Sequence, residues 1–334
     1  MTFDLPTIWA GIICFALLAY VVLEGFDLGI GILFPFGRTC EERDRMMNTI
    51  APVWDGNETW LVMGGGGLFA AFPLAYSVLL TAFYAPLIAM LLGLVLRGVA
   101  FEFRFRAERT RPLWDAAFIG GSTLATFCQG IMIGAFVQGV EVAERTYAGG
   151  WFDWLSPFTV LCGFALVAGY ALLGASWLVM KTGGGLQARM RSLQLPLGML
   201  AVVAVAAVSG GTLLQHDQIF ERWFSGTSLR WIWIIPVVSA IFSGWFVIAV
   251  LRKRDVVPFL LTLGLFAVSF AGLAASLYPH MIPPDVTFRQ AANADGSLRF
   301  MLAGALIMLP VILAYTGYNY WVFRGKVREG EGYH

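Results

Sequence analysis
The stretch Leu23-Glu24-Gly25-Phe26-Asp27-Leu28-Gly29-Ile30-Gly31 puts two carboxylates three residues apart inside a run, residues 7–36, that is otherwise apolar enough to cross a bilayer. A second pair follows in Trp54-Asp55-Gly56-Asn57-Glu58-Thr59-Trp60. A charge at membrane depth costs about 2.5–3.5 kcal/mol, so such carboxylates serve proton or ion movement or are compensated by a partner.

Composition sets the class around these pairs. Hydrophobic residues make up 58% of the 334 and charged residues 13%, against roughly 25% charged in a soluble domain. The chain therefore reads as an all-α polytopic membrane protein, one integral membrane domain over residues 1–334. A formal net charge of +1 argues against nucleic acid as a partner. Met1 to Pro6 hold no basic residue, so the first apolar run is expected to stay as a span rather than be cleaved as a signal peptide.

Twenty-residue windows predict nine spans, near 7–36, 48–72, 74–96, 115–138, 156–180, 195–214, 230–251, 256–278 and 300–323. The boundary at Phe72-Pro73 rests on proline, which starts helices and resists their interiors. Alternate loops then differ in charge. One set holds Arg38, Arg43, Arg45, Arg97, Arg104, Arg106, Arg109, Arg111, Lys181, Arg189, Arg191, Arg252, Lys253, Arg254, Arg324, Lys326 and Arg328; the other holds Arg145, Arg222, Arg230, Arg289 and Arg299. Basic residues accumulate in cytoplasmic loops, which predicts an outside (periplasmic) amino terminus and a cytoplasmic carboxyl terminus.

In that orientation Glu24 and Asp27 lie about 24–29 Å below Ile8, from 1.5 Å per residue. Asp55 and Glu58 come two to three turns after Asn48. All four fall in the cytoplasmic half, and a spacing of three sets each pair on one helix face. Glu24 and Asp27 also admit a plainer reading, reaching interfacial water or pairing with Arg38, Arg43 or Arg45. Around Asp55 and Glu58 the polar density of Trp54, Asn57, Thr59 and Trp60 favours a proton-conducting use. Gly64, Gly65, Gly66 and Gly67, with Gly25, Gly29 and Gly31, suit close packing within the chain or against a partner. Phe101-Glu102-Phe103-Arg104-Phe105-Arg106 reads as an interfacial segment with its rings among headgroups.

Cys14, Cys40, Cys128 and Cys162 have no metal-ligand spacing, and His216, His280 and His334 all fall outside span centres. Haem ligation within a bundle needs imidazole at depth, so any haem iron belongs to another chain.

The first stretch quoted, together with Asn48-Thr49-Ile50-Ala51-Pro52-Val53-Trp54-Asp55-Gly56-Asn57-Glu58-Thr59-Trp60-Leu61 and Gly65-Gly66-Gly67-Leu68-Phe69-Ala70-Ala71-Phe72-Pro73, resembles subunit II of the cytochrome bd quinol oxidases. Ile32-Leu33-Phe34-Pro35-Phe36 and Arg97-Gly98-Val99-Ala100-Phe101-Glu102-Phe103-Arg104 are most similar to the cyanide-insensitive branch. The resemblance implies a haem-poor partner of a subunit I that carries two b-type haems and one d-type haem and oxidises quinol at the outer face. It implies two four-helix bundles, about 7–138 and 156–278, with a ninth helix at 300–323. It also implies a cytoplasmic proton-uptake path with Asp55 near its entrance; by depth along the helices Glu58 is expected to receive or share that proton, with Asp27 and Glu24 as second-rank members, structural or relay. A structural quinone or lipid between helices, and a small accessory single-helix subunit, are compatible with it. Two other readings stay open: a proton-coupled secondary transporter, and a purely structural scaffold for the haem subunit.

Overall fold
The computed structural model of the chain describes residues 4–224 and 232–327; Arg230, Arg328 and His334 lie outside the described residues. Helix α1 (Leu5–Leu33) is capped by Asp4, which accepts from the Thr7 backbone N–H at 3.1 Å, and a 3-10 turn, Phe34–Phe36, prolongs it. Then come a short polar helix α2 (Cys40–Asn48), α3 (Trp54–Ala71), α4 (Pro73–Ala82), α5 (Tyr84–Arg104) and α6 (Arg111–Gln138). After them run α7 (Pro157–Lys181), α8 (Gly184–Leu213), α9 (Asp217–Phe224), α10 (Ile234–Leu251), α11 (Val257–Leu277), the one-turn α12 (Phe288–Ala291) and α13 (Asp295–Val322). Two small antiparallel hairpins sit in loops, β1 (Val142–Ala143) with β2 (Thr146–Tyr147) and β3 (His280–Ile282) with β4 (Val286–Thr287).

Among the described residues, eight helices are long and apolar enough to cross a membrane. Helix α3, which carries Asp55, Asn57 and Glu58, is not among them, yet it runs from one end of the molecule to the other. At its start Trp54 packs on Phe101 with ring centroids 5.2 Å apart. At its finish the Ala70 and Ala71 carbonyls accept from Asn293, just ahead of α13. With α4 and α5 taken as one interrupted rod, the expected nine crossings are recovered among the described residues.

Several boundaries differ from those expected. The second crossing begins at Trp54, not Asn48, because residues 49–53 form turns around Pro52, and a residue before proline is driven from helical backbone. The third breaks at Phe83 (φ −107°, ψ 17°), three residues ahead of Pro86, and then continues to Arg104 instead of stopping at 96. Phe101 to Arg104 are therefore helical, and Phe101 and Arg104 are buried rather than interfacial. Helix α8 starts at Gly184, with Pro196 inside it, because the polar residues ahead of that proline extend the helix past the apolar run.

Helix α1 is the centre of the packing, touching α3, α6 and α7. Its approach to α7 is backbone against backbone: a Cβ at Gly29 would overlap the Tyr170 carbonyl, and one at Gly174 would meet the Gly29 backbone. Gly93 and Gly121 bring α5 and α6 together in the same way. Phe26 stacks on Trp177 at 4.2 Å beside this seam. Helices α8 and α13 keep most of their apolar surface outward, toward lipid or a partner chain.

Candidate functional site
Where α1, α5, α7 and α13 end and α3, α6 and α8 begin, one guanidinium sits among three carboxylates. Arg97 of α5 is fully buried, as are Glu24 and Asp27 of α1, while the Glu58 side chain of α3 keeps 29% of its surface. Arg97 Nη1 donates to Glu24 Oε1 and, at 3.1 Å, to Glu58 Oε1, and its Nη2 lies 3.8 Å from Asp27 Oδ2. Asn57 completes the ring: its Nδ2 donates to Asp27 Oδ2 at 2.8 Å, and its Oδ1 accepts from the Tyr320 hydroxyl of α13 at 2.9 Å. The Arg97 guanidinium also lies over the Trp54 ring, 5.6 Å from its centre.

The cluster is short of positive charge and of hydrogen bonds. Glu24 Oε2, Asp27 Oδ1, and Nε and Nη2 of Arg97 have no hydrogen-bond partner among the described residues. Buried polar atoms are seldom left so, and a surplus of carboxylates over cations in a low dielectric is costly unless protons make up the difference. Such a site can take up and release protons.

The expected residues divide. Glu24, Asp27, Asn57 and Glu58 come together, with Trp54 at the edge. Asp55 does not join them: the later start of α3 puts it in the first turn, exposed, instead of two turns deep. Thr59 is exposed and bonds only back to the Asp55 carbonyl, at 3.5 Å. Trp60 is buried against Phe15, edge to face at 5.6 Å. Gly64 and Gly67 face Leu17 and Ile13 of α1, whereas a Cβ at Gly65 or Gly66 would meet nothing; Gly25 faces Tyr170.

Arg97 and Arg104 correct the sequence reading most sharply. Both belong to α5, not to a basic loop, and both are fully buried. Arg104 binds Asp115 and, at 2.5 Å, Asp44, while Arg43 reaches Asp115 at 2.6 Å and Arg111 reaches Asp44 at 2.5 Å. This second ionic layer, two helical turns from the first, ties α2 to α5 and α6. On the other side of Glu24, one turn back along α1, Tyr20 accepts from Gln129 at 2.8 Å and Gln129 accepts from Tyr170 at 3.1 Å. Polar groups thus continue from the cluster into the middle of the bundle.

The sequence model of the cytochrome bd terminal oxidase subunit II family matches residues 5–323. The chain belongs to that family. Cytochrome bd-I ubiquinol oxidase subunit 2 of Escherichia coli (strain K12) is 29% identical over 96% of this chain and 95% of that protein. Cytochrome bd ubiquinol oxidase subunit 2 of Bacillus subtilis (strain 168) is also 29% identical, over 98% of both. Among solved structures, a chain of the bd oxidase from Geobacillus thermodenitrificans superposes with a TM-score of 0.78 over 96% of this chain and 98% of that one, at 17% identity, a likeness of fold. As a cytochrome bd subunit II, the chain is one subunit of a terminal oxidase and a multi-pass protein of the bacterial cytoplasmic membrane.

Proposed function
We propose that this subunit handles protons rather than electrons in a quinol:oxygen oxidoreductase. Quinol is the reductant and dioxygen the acceptor, as the names of the two relatives lead one to expect. The b-type and d-type haems belong to a partner subunit I. Haem ligation fits this chain poorly: the two described histidines, His216 and His280, lie in the loops opposite the carboxylate cluster. Its own role is to hold subunit I and to take up protons on the cytoplasmic side for the oxygen site.

One observation carries this reading, the buried Arg97 ringed by Glu24, Asp27 and Glu58 at the basic end of the bundle. Arg97 and Arg104 leave the count of loop cations, and fifteen against five still favours a cytoplasmic position for that end. Glu58, half-buried, is the member nearest the outside and the natural first acceptor; exposed Asp55, one turn away, draws protons toward it. Glu24 and Asp27 store and pass them, and Arg97 holds the three in register. In this reading the first four crossings form the bundle that carries the cluster, α7, α8, α10 and α11 form a second bundle, and α13 is the ninth helix.

Glu58→Gln and Glu24→Gln in the purified oxidase test the proposal. Each is expected to lower quinol-driven oxygen uptake by about a hundredfold, the low end of what a positioned proton donor contributes, with haem content unchanged. Asp55→Asn is expected to do less. Full turnover in the Glu24→Gln variant would leave the subunit as a scaffold.

A further inference from the structure
A cavity of about 270 Å³ opens at the same basic end, between the turn ahead of α3, the ends of α7 and α13, and the tail after α13. One water occupies roughly 30 Å³ in the liquid, so the space holds several. Thr49, Lys181, Arg324 and Lys326 give its wall polar groups. All three cations are already engaged: Arg324 Nη1 donates to the Trp321 carbonyl at 2.9 Å and its guanidinium lies over the Trp321 ring. Lys181 Nζ donates to the Phe323 carbonyl at 2.6 Å and lies over the Trp177 ring, while Lys326 pairs with Asp255 at 2.7 Å. That favours water over a phosphate-bearing ligand.

Tyr320 belongs to both the cavity and the cluster. It lines the cavity, and its hydroxyl donates to Asn57, which in turn donates to Asp27. Two hydrogen bonds thus separate the cavity wall from a fully buried carboxylate whose Oδ1 has no hydrogen-bond partner among the described residues.

We propose that this cavity is a water-filled inlet to the carboxylate cluster, distinct from the exposed face of α3, and that Tyr320 is its gate. The proposal rests on the proton-uptake reading of the cluster. A carboxamide does not ionise, so Asn57 is a positioning residue that holds the carboxylate and the phenol in line. A tyrosine hydroxyl both donates and accepts. Turning about its C–O bond swings it from Asn57 into the cavity, where it binds a water and leads it to the unpartnered Asp27 Oδ1; that water, protonated, gives its proton to the carboxylate, one O–H bond breaking as another forms, and Asn57 keeps its N–H bonds.

Two variants of the intact oxidase test this against Glu24→Gln as reference. Tyr320→Phe keeps the ring packed near Phe26 and Trp177. Val322→Trp fills the cavity from its exposed rim. Each is expected to lower turnover several-fold with haem content and the KM for quinol unchanged, and to move the alkaline limb of the pH–rate profile to lower pH, where protons first become limiting. If Glu24→Gln slows the enzyme while both variants keep the wild-type rate and profile, the inlet is overturned and the cluster reading stands. If Glu24→Gln is itself silent, the cluster reading falls and the inlet with it. Should one variant lose haem, the other decides.

Discussion

At Arg97 one guanidinium faces Glu24, Asp27 and Glu58, so its removal strips two fully buried carboxylates of their counter-charge. Breaking a buried pair from one side costs about 3–5 kcal/mol. Arg97→Ala is therefore expected to lower the thermal midpoint and the yield of the purified oxidase. Arg97→Lys keeps the charge but loses the planar fork that serves several acceptors, and its midpoint should fall between the two. Unfolding followed by tryptophan fluorescence reads this directly, and wild-type midpoints in both variants would mean that the carboxylates need no cation. The carboxylates were legible because charge inside an apolar run is conspicuous. Arg97 was not, because it precedes an arginine-rich loop and looks like the membrane exit. Its signal lies in period: Met90, Gly93, Arg97, Ala100 and Arg104, spaced by three and four, are all buried on one face of α5. Asp55 misled for the opposite reason. Its motif is dense in polar residues, but the turn around Pro52 delays the helix and leaves that carboxylate outside.

Helix α2 is too polar to enter the membrane, and its charges join elements that are distant in sequence. Glu42 takes Arg189 of α8 at 2.8 Å and the Arg38 backbone N–H at 2.7 Å. The Arg189 guanidinium holds the Glu42 carboxyl below its ordinary value, against a smaller opposing effect of burial. A lowered folded-state pKa gives stabilisation that is complete above the unfolded value of about 4.3 and is lost as pH falls through the folded value. Arg189→Ala is accordingly expected to destabilise the oxidase near neutrality, with the gap from wild type closing in acid. Thermal midpoints across that range test this, and a gap independent of pH would contradict it. Element positions were mostly legible from apolar runs, whereas ends set by ionic ties were not. Arg104 with Asp44 and Asp115 holds the close of α5, and no local pattern announces a partner 60 residues away.

At the scale of the molecule, the nine crossings among the described residues bring their strongly basic segments to one end, and the carboxylate cluster lies at that end. Reporter fusions test the orientation this implies: a carboxyl-terminal fluorescent protein should glow and an amino-terminal periplasmic phosphatase should be active, and the reverse pattern would move the cluster to the outer side. Fold class and crossing number followed from hydropathy, which the bilayer enforces along the entire chain. The site did not follow so fully, because Tyr320 of the last helix reaches Asn57 of the second crossing only through tertiary packing. Proton uptake itself is the most direct test of the cluster. Wild-type oxidase and its Glu24→Gln variant, at equal haem content in liposomes, would be reduced and pulsed with oxygen while a pH dye follows protons taken from the cytoplasmic face. If the cluster carries those protons, uptake and haem reoxidation slow together in the variant; uptake at the wild-type rate would contradict it.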